Sequence, residues 1–227
     1  MAEFSNDKAG INPLEERARL TALHSLGILD TPAEPGYDAI TRLAVDYFQV
    51  DSAIIAFADD TRVWVKSNWG EMPRELPRAN SMFDFVLAED GPVVICDISQ
   101  HPDTQGRMLH LHRLEVRFVA SVPVRAFDGN VVGMLSIFGK QMRPALTPNE
   151  LRTLVNLAVM VSNQLELHKL RRARSGVAQA GRPLRARRRH RGRGPRICGG
   201  PSIVTSWCCF ISRKSTWSRS GLSVSKL

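Results

Sequence analysis

The first fifty residues carry apolar and polar positions in the pattern of two amphipathic helices. Asn12-Pro13-Leu14-Glu15 has the composition of a helix start, because Asn caps free amides, Pro fits the first turn and Glu closes a capping box. Gly27 indicates the end of this first helix. Its apolar residues are Ala18, Leu20, Ala22, Leu23 and Leu26. The second helix is predicted from apolar residues at i, i+3, i+4, i+7 and i+8, which are Ile40, Leu43, Ala44, Tyr47 and Phe48.

From residue 53 onward the pattern changes to short apolar segments that are typical of β-strands. We predict five strands, at residues 53–58, 62–67, 93–96, 118–124 and 131–138. Turn signals at 59–61 and at Asp128-Gly129 predict that the first two and the last two strands form antiparallel hairpins. Pro73 and Pro77 predict a loop, and residues 81–87 a helical turn. Helices beside a mostly antiparallel sheet indicate an α+β fold.

A long helix is predicted from residue 147 onward. Thr147-Pro148-Asn149-Glu150 again supplies a cap and an acid three residues later. The helix then carries a stripe at steps of three and four, formed by Leu151, Leu154, Ala158, Val161, Leu165 and His168. This heptad spacing predicts a coiled coil between two copies of the chain, and the alternative is a helix packed on its own sheet. Val155, Leu157, Val159 and Met160 widen the apolar face, so one helix can serve both purposes.

Charge divides the chain into two parts. The whole sequence of 227 residues has a net charge of +9, but residues 171–227 contain 15 of its 31 Lys and Arg and none of its 22 Asp and Glu. The first 170 residues therefore carry a net charge of −6. We predict a flexible N-terminus at 1–11, a folded domain at 12–170 and a basic tail at 171–227 that is disordered or translated out of frame. Nucleic-acid binding through Arg185–Arg193 is a less favoured alternative, and it would weaken as salt rises.

Candidate chemistry is sparse. The sequence has no Gly-rich phosphate loop and no CxxC or HExxH motif. His101, His110 and His112 lie close in sequence, but no further ligand at a suitable spacing completes a metal site. The four cysteines do not form a disulfide framework, and Cys96 is predicted to be a buried structural thiol. Without an apolar run long enough to cross a bilayer and without a leader pattern, we expect a cytoplasmic protein with no catalytic centre.

Seven segments of the sequence form an ordered series of motifs. The first joins a helix at 15–20 to the turn at 27–32, which reads GILDTP, and the second is the next helix, at 35–44. The others are Val63–Ser67, Pro73-Arg74, Arg117–Val124, Val132–Ile137 and Leu146–Pro148. Taken in order, these segments resemble a GAF domain of the type that begins bacterial sensor proteins, and the resemblance covers about two thirds of the chain. It implies a GAF/PAS-like antiparallel sheet of five to six strands with flanking helices and a long C-terminal helix.

The resemblance also implies a function. Such domains hold a small ligand between one face of the sheet and the overlying loops, and relay its binding through the last helix to an output domain. On that basis we expect a sensory module that forms a homodimer through its C-terminal helix. The expected pocket residues are Trp64, Phe83, Asp84, Phe118, Ser121 and Ser136. The alternative is that the aromatic residues belong to the core and that the serines are small residues selected for sheet packing.

Departures from the family pattern narrow the choice of ligand. Where many relatives have SFCAHAI, this chain has Ser81–Leu87 without the Cys and the His, and Leu135–Ile137 replaces their LCV. We therefore expect neither a covalently attached bilin nor methionine sulfoxide reduction, and the sequence identifies no cofactor. A second interpretation is that the chain is the N-terminal part of a cyclic-dinucleotide synthase or phosphodiesterase, or of a histidine kinase, whose output domain is lost by a frameshift.

Overall fold

The computed structural model describes residues 12–101, 111 and 113–180. The helices in this part are α1 (Pro13–Leu26), α2 (Pro35–Phe48), α3 (Phe83–Glu89) and α4 (Pro148–Ala180). The strands are β1 (Ser52–Ala58), β2 (Arg62–Trp69), β3 (Glu75–Pro77), β4 (Val93–Ile95), β5 (Phe118–Arg125) and β6 (Val131–Gly139). The predicted flexible N-terminus at 1–11 and the predicted tail from 181 onward lie outside the described residues.

The predicted start and end of the first helix are confirmed. The Asn12 side chain accepts a hydrogen bond of 3.0 Å from the Leu14 amide at the start of α1. At the other end Gly27 takes a left-handed conformation with φ of 57°, and its amide donates to the His24 carbonyl. A residue without a Cβ adopts this conformation at little cost, which explains why α1 ends there.

All six strands form one antiparallel sheet in the order β3-β2-β1-β6-β5-β4. Both predicted hairpins are present, as β1 with β2 and β5 with β6. One of the six strands, β3, is not predicted from the sequence and lies where a loop is expected. Its Leu76 pairs with Val63 of β2 at the edge of the sheet. An edge strand of three residues that ends in proline has no periodic pattern to reveal it. A bulge between Ile55 and Ala56 shifts the register of β1 against β2.

Two hydrophobic cores lie on the two faces of the sheet. The helical face packs against α1, α2 and α4 through residues such as Leu23, Tyr37 and Leu154. The opposite face, here called the α3 face, packs against Phe83 and Val86 of α3 and against neighbouring loops. Every residue of β1 is buried, because the strand is central and covered on both faces. This explains why its sequence is continuously apolar and does not alternate.

The predicted coiled-coil stripe of α4 faces its own sheet. Leu154, Ala158, Val161 and Leu165 are all buried in the core of the helical face, whereas Leu151 at the start of the helix is half-buried. These side chains therefore follow the alternative interpretation, a helix packed on its own sheet. A different apolar stripe remains exposed on the other side of α4, formed by Val155, Val159, Met160, Leu167 and Leu170. The helix continues to Ala180, so the expected start of the tail at residue 171 lies within it.

Candidate functional site

The sheet separates the six predicted pocket residues into two groups. Ser121 of β5 and Ser136 of β6 are directly paired across the two strands. Their strand neighbours Ala120 and Ile137 belong to the core of the helical face. Because successive side chains of a strand alternate, the two serines point to the α3 face, where Phe83 also packs. The fold thus places Phe83, Ser121 and Ser136 on one face of the sheet.

The two serines form a buried polar pair in an apolar environment. Both side chains are completely buried, and their Oγ atoms are 2.7 Å apart. Around them the α3 face consists of side chains such as Ile54, Val119 and Met134. Each hydroxyl can donate one hydrogen bond and accept others, so a bond between the two leaves one hydroxyl proton available for another acceptor. The pair is therefore a place where a polar group would find a hydrogen-bond partner within an otherwise apolar core.

Trp64 and Phe118 lie on the opposite face of the sheet. Phe118 is completely buried in the core of the helical face, where the Arg143 guanidinium lies 5.4 Å from the centre of its ring. Trp64 packs at the margin of the same core, and its ring is 5.9 Å from the Lys66 ammonium. A six-stranded sheet separates these rings from the two serines. The structure therefore does not bring them into one pocket with Ser121 and Ser136.

Asp84 belongs to an ion-pair network that joins α1 to α3. Arg78 donates from Nε to Asp84 at 3.1 Å and from Nη1 to Glu16 at 2.5 Å. Arg19 of α1 also binds Glu16, with two bonds of 2.8 Å, and donates to the Ala58 carbonyl. The guanidinium groups of Arg19 and Arg78 lie 5.1 and 5.3 Å from the centre of the Phe83 ring, within the range of cation–π attraction. The network fixes α3 above its face of the sheet.

This network lowers the pKa of Glu16 to about 2. Partial burial raises the pKa of the carboxyl, but the hydrogen bonds and positive charges of Arg19 and Arg78 lower it by more. The sequence itself contains a signal for one member of this ion-pair network. Arg19 is buried with Ala22, Leu23 and Leu26, so a charged residue occupies an i, i+3, i+4, i+7 stripe in place of an apolar one.

A second polar cluster, here called the connector cluster, joins the sheet to the segment between α1 and α2. The Lys66 side chain is completely buried on the helical face of β2. Its ammonium donates to Thr31 Oγ1 at 2.7 Å, to the Pro32 carbonyl at 2.7 Å and to Glu34 Oε1 at 2.8 Å. An ammonium group has three protons, so these bonds use all of them. The buried charge is thereby compensated and holds the connector in one position.

The connector cluster also includes α4. His168 Nδ1 lies 3.1 Å from Glu34 Oε1, the same oxygen that Lys66 binds. His168 Nε2 lies 3.4 Å from the Gly27 carbonyl, which also accepts a bond from Arg172 Nη1. Burial raises the pKa of Glu34, but Lys66 and His168 lower it by more, so this carboxyl is anionic near neutral pH. One carboxylate thus connects β2, the connector and α4.

Comparison with known proteins identifies the family. The family model for the GAF domain matches residues 33–165, more than half of the chain. The chain belongs to the GAF domain family. The match begins in the connector and ends at Leu165 of α4, so Glu34 lies just inside its first limit and His168 just beyond its second.

Three bacterial proteins are among those similar to this GAF domain. A cyclic di-GMP phosphodiesterase of Pseudomonas aeruginosa is 25% identical over 159 residues, which are 70% of this chain and 27% of the relative. The chain thus spans about a quarter of that protein. The GAF domain of PixJ from Thermosynechococcus elongatus has a TM-score of 0.54 at 18% identity, with 76% of this chain and 99% of that chain covered. The chromophore-binding domain of a bacteriophytochrome from R. palustris gives 0.50 at 14% identity, with coverage of 67% and 61%. These structures share the fold.

Other candidate chemistry is limited within the described part of this GAF domain. Cys96 is a half-buried free thiol. Among residues 12–101, 111 and 113–180, no group of three or more His, Cys, Asp and Glu side chains is arranged to hold a metal ion. His110 and His112 lie outside these residues. No helix in the same ranges is both long and apolar enough to cross a membrane.

Proposed function

We propose that this GAF domain is a ligand-sensing or regulatory module of a bacterial, cytoplasmic signal-transduction protein, and that α4 is its output element. The observation that carries the proposal is the division of α4 into two faces. One face is part of the domain core through Leu154, Val161 and Leu165, and the other exposes an apolar stripe. A helix built in this way transmits a change in the core to whatever binds the stripe.

The ligand side of the proposal rests on the α3 face. Ser121 and Ser136 offer hydroxyl groups in an apolar environment below α3, which suits a small molecule with one or two polar atoms. Phe83 would supply an apolar wall and Asp84 a charge at the margin. We expect non-covalent binding, since Ser81–Leu87 contains no cysteine for a thioether bond to a bilin.

The partner in the proposal is a second copy of the chain. The exposed stripe of α4 runs from Val155 to Leu170 over four turns, and it is separate from the residues that pack on the sheet. Parallel pairing of two such stripes would bury them and make a coiled coil in which Val159 and Leu170 take part. This differs from the expected interface, whose residues Leu154 to Leu165 lie in the core.

Analytical ultracentrifugation of the full chain tests this output element. We expect a dimer at micromolar concentration, and a monomer for Val159→Glu. Leu43→Glu is the matched control, because Leu43 is about as exposed as Val159 but lies on α2, and this variant should remain dimeric. A monomeric wild-type chain at 100 µM or more would contradict the dimer.

Ligand binding is tested by native mass spectrometry of the chain purified from its source organism. We expect a small molecule that dissociates without breaking a covalent bond, and its loss in Ser136→Ala. Ser99→Ala is the control, because Ser99 is exposed, whereas Ser136 is completely buried. A wild-type chain that carries nothing, and that no compound stabilises in a thermal-shift screen, would contradict a sensory role for the α3 face.

The relative from Pseudomonas aeruginosa favours a second candidate, in which the chain is the N-terminal part of a cyclic di-GMP phosphodiesterase or a related output enzyme. This chain matches only 27% of that relative. The intact mass of the endogenous protein separates the candidates. A mass near 25.3 kDa corresponds to the 227 residues, whereas a much larger mass indicates an attached output domain.

A further inference from the structure

We propose that His168 is a protonation-dependent latch that fastens the distal part of α4 to the connector between α1 and α2. The inference deepens the proposed output role of α4 by naming what regulates it. It rests on the connector cluster, where one imidazole contacts two acceptors on a segment more than 130 residues earlier in the chain.

The contacts of the imidazole carry the argument. Nδ1 faces the Glu34 carboxylate at 3.1 Å and Nε2 faces the Gly27 carbonyl at 3.4 Å. A neutral imidazole has one N–H group, so it can donate to only one of these oxygens and must point a lone pair at the other. The imidazolium form donates to both and gains an ion pair with Glu34. Protonation therefore strengthens the attachment of α4 at two points.

Some of the surrounding charges disfavour a positive charge on His168, and one favours it. On β2, the Lys66 ammonium shares the Glu34 oxygen with His168 and disfavours a second positive charge there. On α4 itself, Arg171 and Arg172 are also positive, and Arg172 binds the same Gly27 carbonyl. On α2, burial and the charge of Glu34 raise the pKa of Tyr37, which therefore stays neutral. Glu34 is the anion in direct contact with the ring, and it stays ionised because its pKa is lowered.

The position of the latch gives it a regulatory consequence. Within residues 148–174 of α4, Leu165 is the last whose apolar side chain is buried in the core, and the exposed stripe continues through Leu167 and Leu170. Beyond Leu165, the contacts of His168 and Arg172 with residues 27–34 hold the helix on the domain. Loss of the proton from His168 would weaken this attachment, since the neutral ring donates only one hydrogen bond, and a lower pH would strengthen it.

Hydrogen exchange on the full chain tests the latch. Protection factors of the amides at 168–174, corrected for the intrinsic effect of pH, should rise at least threefold from pH 8 to pH 5.5 in the wild type. The rise should disappear in His168→Gln, which cannot gain a proton, and shrink in Glu34→Gln, which loses the anion. His24→Gln is the matched control, because the His24 side chain on α1 contacts Asp59 at 2.9 Å and not the residues of the connector cluster. It should behave like the wild type.

A second measurement reads the ring itself. Nitrogen-15 chemical shifts of His168, assigned by comparison with His168→Gln, should show that both ring nitrogens become protonated as the pH falls from 8 to 5.5. Protection that is independent of pH in the wild type, a pH dependence that persists in His168→Gln, or a ring that stays neutral throughout would each overturn the proposal. Neither readout requires a dimer or a ligand, so a failure here is distinguishable from a failure of the proposed output function.

Discussion

Ser121 and Ser136, on neighbouring strands, place their hydroxyl oxygens 2.7 Å apart with no exposure to solvent. Replacing one serine by alanine leaves the other hydroxyl buried without its partner. We expect Ser121→Ala or Ser136→Ala to lower the free energy of unfolding by about 1–2 kcal/mol. Urea unfolding of each variant measures the effect.

The double variant Ser121→Ala/Ser136→Ala tests whether the loss comes from the unpaired hydroxyl. Replacement of both partners removes the unsatisfied group, so the double variant should be less destabilised than the two single effects predict together. Additive effects would mean that the two hydroxyls do not depend on each other. They would also weaken the case that the pair can exchange its mutual bond for bonds to a ligand.

Glu16 should make the stability of the domain depend on pH in the acid range. Its pKa is about 2 in the folded protein and about 4.5 when unperturbed, so the unfolded state binds the proton more readily. The stabilisation is therefore complete above about pH 5 and is lost as the pH falls from 5 towards 2. We expect Glu16→Gln to lower the free energy of unfolding by about 1–2 kcal/mol at pH 7. Unfolding curves at pH 7 and pH 3 measure the difference.

The control for this prediction is the neighbouring exposed acid. Glu15→Gln removes the same charge one residue earlier, outside the contacts of Arg19 and Arg78. It should change the free energy of unfolding by less than about 0.5 kcal/mol at either pH. If Glu16→Gln lowered the free energy of unfolding as much at pH 3 as at pH 7, the ion-pair network would not be the origin of its effect.

Gly27 ends α1 in a left-handed conformation and lies against the Arg172 guanidinium of α4. Gly27→Ala should therefore destabilise the fold by slightly more than backbone strain alone, because the new Cβ would displace the flexible Arg172 guanidinium from its hydrogen bond to the Gly27 carbonyl. Gly129→Ala is the control for strain, since Gly129 also has a positive φ but open space around it. We expect Gly129→Ala to lower the free energy of unfolding by about 1 kcal/mol, and Gly27→Ala to lower it slightly more, as measured by thermal unfolding.

A double variant separates collision from strain. In Gly27→Ala/Arg172→Ala the guanidinium is absent. Compared with Arg172→Ala alone, the added Gly27→Ala change should therefore lower the free energy of unfolding by no more than Gly129→Ala does. An extra cost that persists without Arg172 would show that the connector, and not α4, is the part that Gly27 must accommodate.

Local patterns in the sequence predict most of the fold. The caps at Asn12 and Thr147 and the turn at Asp128-Gly129 are short signals that act within a few residues, and the structure has the helices and the hairpin that they predict. The strand β3 is missed because its pairing with β2 depends on neighbours in space. The same limit applies to the faces of the sheet, since periodicity alone cannot assign Phe118 and Ser121 to opposite faces.

The polar clusters are harder to predict than the elements. Lys66 and Glu34 are 32 residues apart and His168 lies 134 residues beyond Glu34, so no spacing rule connects them. His168 fits the heptad pattern of α4, which predicts an apolar interface, yet the fold presents it to the connector. Which residues form a buried ion pair depends on which elements meet in the fold. No local pattern in the sequence shows this.

Shortening a side chain to alanine should affect stability differently on the two faces of α4. Leu154 is completely buried against the sheet, whereas Val159 is about half exposed. We expect Leu154→Ala to lower the free energy of unfolding by about 2–5 kcal/mol, because it leaves a cavity in the core of the helical face. Val159→Ala should change it by less than about 0.5 kcal/mol under conditions where the chain is monomeric. Chemical denaturation at two protein concentrations tenfold apart measures both effects.

The loss of stability in Leu154→Ala should be the same at both concentrations, since the side chain packs within its own domain. A cost that grows with concentration would instead assign Leu154 to a contact between two chains.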